Sequence, residues 1–121
     1  MLHPRIVPVN NGSSVTLNWS YSLTAVLLGG AITFNGTRIV VIKPDGSPES
    51  VKPSFQERFS VSSTLGRASL FISTVTVADD KAYGEFRCEL VDRDLDNWKR
   101  AIQLQVIGKL ESVADSKKGV P

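Results

Sequence analysis

Few side chains in this sequence could do chemistry. There is one histidine, His3, and one cysteine, Cys88. His3 lies near the start, where a flexible terminal residue is expected rather than a ligand or a base. Cys88 sits within Phe86-Arg87-Cys88-Glu89-Leu90, whose alternation turns the thiol inward, where it behaves as a small hydrophobe. Asp92, Asp94 and Asp96 alternate as in a calcium loop, but the required Gly and bidentate Glu are missing, so solvated loop charge is expected. No Cys/His cluster has metal-ligand spacing. No Gly-rich phosphate loop follows a strand. The expectation is therefore no catalytic residue, no metal, no cofactor and no enzyme.

Modification and contact chemistry are better represented. Three N-x-S/T acceptor sequences occur, at Asn11, Asn18 and Asn35. Average composition would give fewer than about one in this length. Together they favour an extracellular chain, against the reducing compartment that a single cysteine alone would suggest. Trp98 lies in a run of Asp, Arg and Lys (91–100) that reads as a charged loop. An exposed indole there would be a binding anchor, and the alternative is that it folds back onto the sheet edge.

Composition bounds the rest. A chain of 121 residues makes one domain, and 41 % apolar residues are enough for one core. Fourteen basic against twelve acidic residues, with no basic stripe, exclude a nucleic-acid binder. The apolar stretch around Ala25–Leu28 is too short to cross a membrane. Met1-Leu2-His3-Pro4 lacks a basic and apolar leader, so Met1 reads as a start added to an excised piece of a longer chain. A natural cytosolic start is the plainer alternative.

The elements that must position these residues are strands. Val15, Leu17 and Trp19 alternate with polar residues, as do Ala68, Leu70 and Ile72, then Gly84, Phe86, Cys88 and Leu90, then Ile102, Leu104 and Val106. Pro8 suits Ile6–Val9 to an edge strand. Residues 21–30 read as a loop. Asn35-Gly36 between Ala31–Phe34 and Thr37–Ile42 is a strong hairpin signal, because both turn positions favour positive φ. A two-residue loop pairs Phe34 with Thr37, which puts Phe34, Ile32, Ile39 and Val41 on one face and Arg38, Val40, Ile42 and Thr33 on the other.

The stretch Leu70-x-Ile72-x-x-Val75-x-x-x-Asp79, followed by Gly84-x-Phe86-x-Cys88, resembles the E–F region of an immunoglobulin domain. The corner holds three extra residues, and Phe86 replaces the usual Tyr. Val15-x-Leu17-x-Trp19 resembles strand B, with Trp19 where the first cysteine should be. Phe34 or Ile32 stands in the place of the strand-C tryptophan. The resemblance spans residues 5–107. It implies an all-β, variable-type β-sandwich of two antiparallel Greek-key sheets lacking the inter-sheet disulfide, with about nine strands and room for a C″ strand. It implies a domain over residues 1–108 and a polar tail over 109–121. Its core would be Trp19, Phe34, Leu70, Ile72, Phe86 and Cys88. Arg58 would pair with Asp79 or Asp80. Trp19 would make up part of the roughly 4 kcal/mol forfeited with the bridge.

The same resemblance implies function. Outward parity on the G-F-C-C′ sheet gives Arg38, Val40 and Ile42, then Tyr83, Glu85, Arg87 and Glu89, then Gln103 and Gln105. Interspersed Glu and Arg suit a patch that meets itself about a two-fold axis. With Trp98, the expected partner-binding set is Arg38, Val40, Ile42, Glu85, Arg87, Glu89, Trp98 and Gln103. The expected role is cell-surface recognition or adhesion by the ectodomain of a membrane protein. Its partner would be a second copy or a related receptor, and any membrane contact would come through a segment absent from this sequence. The chain is similar to divergent invertebrate allorecognition receptors in lacking both the strand-B Cys and the strand-C Trp. An intracellular structural module and a glycan-binding domain are the alternatives.

Overall fold

A computed structural model describes residues 4–23 and 25–108. His3, the start of the chain and the expected tail over 109–121 lie outside the described residues. Period-two apolar patterning yields eight strands among them. These are β1 (Arg5–Asn10), β2 (Val15–Ser20), β3 (Leu27–Phe34), β4 (Thr37–Ile42), β5 (Phe59–Thr64), β6 (Arg67–Ile72), β7 (Phe86–Asp92) and β8 (Asn97–Ile107). One sheet has the order β1-β8-β7-β3-β4 and the other β2-β6-β5. β1 runs parallel to β8, and the other pairings are antiparallel. Ile42 bridges to Pro48, but residues 43–58 form no further strand, so the expected ninth strand is absent from the described residues.

The inward faces meet in one core. Leu17 and Trp19 come from β2, Leu70 and Ile72 from β6, Phe86, Cys88 and Leu90 from β7, and Leu104 from β8, all at most 3 % exposed. Cys88 is a free thiol at 0 % exposure, and desolvation pushes its pKa up to about 12. At neutral pH it is an uncharged space-filler. The Trp19 indole N–H donates to the Arg100 carbonyl at 3.1 Å. It therefore ties β2 to β8, where a bridge would have tied β2 to β7. Ile32, opposite Cys88 in the β3–β7 register, is fully buried. Phe34 is only half-buried, with its ring 4.5 Å from that of Phe86.

The β3–β4 hairpin corrects one expectation. Asn35 and Gly36 do take positive φ, +50° and +82°, and Phe34 does pair with Thr37. The register then slips. Thr33 faces Arg38, but Ile32 faces Val40, so Ile39 is an extra residue in β4. Such a bulge reverses parity beyond it. Val40 and Ile42 consequently enter the core, at 2 % and 1 % exposure, while Val41 takes the outward side opposite Ala31.

Two loops also differ from expectation. β3 begins at Leu27, so residues 27–30 belong to a strand and not to the expected loop. Strands β7 and β8 extend to Asp92 and from Asn97, so the expected loop over 91–100 shrinks to residues 93–96. The buried Asp92 carboxylate shapes it by accepting the N–H groups of Asp94 (2.9 Å) and Asp96 (3.1 Å). At the opposite end, the longer corner is a 3₁₀ turn, Val77–Asp79. Asp79 accepts two bonds from the Arg58 guanidinium, at 2.8 and 3.0 Å, which raises the arginine's pKa. Asp80 serves differently: its carboxylate accepts the N–H of Val106 at 2.8 Å and pins the corner to β8.

Candidate interaction surface

The outward side of the five-stranded sheet gathers most of the expected contact residues. Arg87 is central. Its guanidinium donates to Glu85 at 2.7 Å and to Glu89 at 3.2 Å, and these bonds raise its pKa. Gln103 reaches Glu85 from β8 at 3.3 Å. Mostly small residues flank the ladder. Thr33 and Ala101 lie opposite Arg87, and Ala31 and Lys99 opposite Glu89. Arg38 lies beyond Thr33 on β4 and is exposed.

Because the side chains beside the ladder are short, the face has open hollows between its charged residues. One is lined by Ala31, Thr33, Arg38, Val41, Lys52 and Glu89, among others. A second lies between Thr33, Gly36, Lys81, Glu85 and Arg87. A third lies between Ala31, Arg38, Glu89 and Lys99. Among the described residues, both glutamates are paired with Arg87, whereas Arg38, Lys52, Lys81 and Lys99 form no ion pair within 4 Å. The face thus carries an excess of unneutralised positive charge.

Three expected members do not join it. Val40 and Ile42 are core residues, for the register reason given above. Trp98 shares parity with the buried Leu90 and turns toward the sandwich edge. There its ring lies 5.7 Å from that of Tyr21, and Arg100 covers it at 4.8 Å. The indole shields the sheet edge and is half-buried. Val41, Lys99, Lys52 and Lys81 were missed. Lys99 shares parity with Gln103, a signal hidden by treating 91–100 as a loop. The bulge concealed Val41, and only folding brings Lys52 and Lys81 alongside.

All three asparagines of the acceptor sequences are exposed. Asn11 lies in the β1–β2 turn. Asn18 is on the outer side of the three-stranded sheet, with its Oδ1 accepting a bond from Ser69 at 2.6 Å. Asn35, in the β3–β4 turn, also lines the second hollow, so it borders the charged face. Among the described residues, no three His, Cys, Asp or Glu side chains group as metal ligands. No described helix is long and apolar enough to cross a membrane.

No protein-family model and no curated protein matches the chain. Among solved structures, the first immunoglobulin-like domain of human CD48 antigen is similar, with a TM-score of 0.65 at 23 % identity. The likeness covers 87 % of this chain and 83 % of that one. Sheet orders, the Arg58–Asp79 clamp and this likeness agree: the chain has an immunoglobulin-like fold, built without the inter-sheet disulfide.

Proposed function

We propose that this domain recognises another protein through the outer face of its five-stranded sheet, as part of a cell-surface ectodomain. The observation that carries the reading is the Glu85–Arg87–Glu89 ladder set among short side chains, on a face that no other described element covers. A polar face that spends no large apolar residue on the core, yet orders its charges, is suited to a specific, reversible contact. The place of β4 beside β3 in that sheet supports the variable-type assignment. The similar solved domain is named as the first immunoglobulin-like domain of an antigen, CD48, which is consistent with the reading. The narrower form has a second copy of the chain as partner. A two-fold axis can offset the ladder against itself so that guanidinium meets carboxylate.

Glycan recognition has less support, because the Arg87 guanidinium is already held by two carboxylates. The intracellular alternative predicts unmodified asparagines. Secretion from a eukaryotic cell followed by mass measurement should add sugar at one or more of Asn11, Asn18 and Asn35. An unchanged mass would favour the intracellular module. For the face itself, beads densely coated with the domain are expected to clump. Arg87→Glu should weaken clumping, while Thr16→Asp on the opposite sheet should not. Equal clumping by Arg87→Glu and the parent would remove the face from the mechanism. Dense display matters because a weak single contact gains from multivalency.

A further inference from the structure

The outer face differs at its two ends. At the base, near the β3–β4 turn, lie Arg38, Lys52 and Lys81. Backbone bonds hold the two lysines there, Lys52 N–H to Ile39 at 3.0 Å and Lys81 N–H to Leu104 at 2.7 Å. At the tip, the β7–β8 loop presents Asp94, Leu95 and Asp96. Asp92 consumes two of the loop's backbone N–H groups, but the carboxylates of Asp94 and Asp96 accept no bond and form no ion pair among the described residues. Arg93 opens the loop, whose net charge over residues 93–96 is still negative, and Lys99 lies on β8 between the loop and the base. Leu95 is 72 % exposed and held at φ +64°, which lifts an apolar side chain clear of the surface.

We infer that a second copy docks antiparallel on this face. A two-fold axis across the strands would bring the acidic tip of each copy onto the basic base of the other. Asp94 and Asp96 would meet Arg38, Lys52 and Lys81, and Leu95 would enter the hollow over Ala31 and Thr33. This inference rests on the outer face being the binding surface and names its register. From strand geometry the contact is roughly 30 Å by 15 Å, or about 900 Å² counting both copies. That is the size of a weak, transient interface, which operates between crowded surfaces. Asn35 lines the second hollow beside Lys81, so this contact requires Asn35 to be free of sugar.

Charge exchange tests the register on unglycosylated domain. Base variant Arg38→Glu/Lys52→Glu and tip variant Asp94→Lys/Asp96→Lys change only exposed residues. Each alone sets like charges together and should reduce bead clumping roughly tenfold or more. Mixed in two colours, they should clump with each other nearly as well as the parent, since both contacts are again of opposite sign. If the mixture does no better than either variant while the parent remains sensitive to Arg87→Glu, the register is wrong and the face stands. If Arg87→Glu also has no effect, both readings fall. Parent beads that stay dispersed overturn a second copy as the occupant.

Discussion

Replacing Trp19 by cysteine asks whether the indole does the work of the missing bridge. Trp19 is 3 % exposed and Cys88 0 %, from facing sheets of one core. Under reducing conditions the variant loses a large ring and the bond to Arg100. Truncations of this kind cost about 3–5 kcal/mol, a large part of a small domain's stability of about 5–15 kcal/mol. Under oxidising conditions the new thiol can join Cys88. The closed loop of about 70 residues then restrains the unfolded chain by about 4.4 kcal/mol at 25 °C on the chain-entropy model. The oxidised variant should therefore lie near the parent, and the reduced variant several kcal/mol below it. Urea unfolding with and without reductant measures both, and thiol titration reports bridge formation. Two free thiols after oxidation would show that positions 19 and 88 do not face each other. A reduced variant as stable as the parent would show that the indole contributes little.

Three further outcomes follow from the packing. Val40→Asp buries an unpaired carboxylate and should destabilise the domain by about 3 kcal/mol or more, whereas Val41→Asp should stay within about 1 kcal/mol; the reverse order in urea melts would contradict the bulge at Ile39. Arg58→Ala leaves the Asp79 side chain, 4 % exposed, without its counter-ion and should cost about 3 kcal/mol or more. The double variant with Asp79→Ala should cost less than the sum of the two single changes, and simple additivity would refute the coupling. Because the Cys88 thiol is pushed from 9.0 to about 12 in the fold, the unfolded chain loses that proton first. Stability should therefore fall as pH rises from about 9 toward 12, by up to about 1.4 kcal/mol per unit from this group. Urea midpoints at pH 8 and 10 should show a smaller drop for Cys88→Ala than for the parent, and equal drops would mean the thiol is not desolvated.

The sequence by itself determined the strands whose alternation is unbroken. Val15-Thr16-Leu17-Asn18-Trp19 and Phe86-Arg87-Cys88-Glu89-Leu90 each have one apolar parity, and a pleated backbone leaves such a segment a single way to face a core. The Asn35-Gly36 turn was legible for a similar reason, since its residues tolerate the positive φ that the turn requires. Only the tertiary structure decided the parity of β4. Ile39, Val40, Val41 and Ile42 are all apolar, so any of them can fill the core, and the best packing selected the bulge. It decided the role of Trp98 as well, because a ring amid charges reads as exposed until Tyr21 and Arg100 are seen to enclose it. It chose Asp79 over Asp80 as the partner of Arg58, since the two acids are adjacent in sequence and a 3₁₀ turn sends one side chain to Arg58, just before β5, and the other to Val106 on β8. Where local pattern admitted one solution the chain alone sufficed, and where it admitted several, long-range packing made the choice.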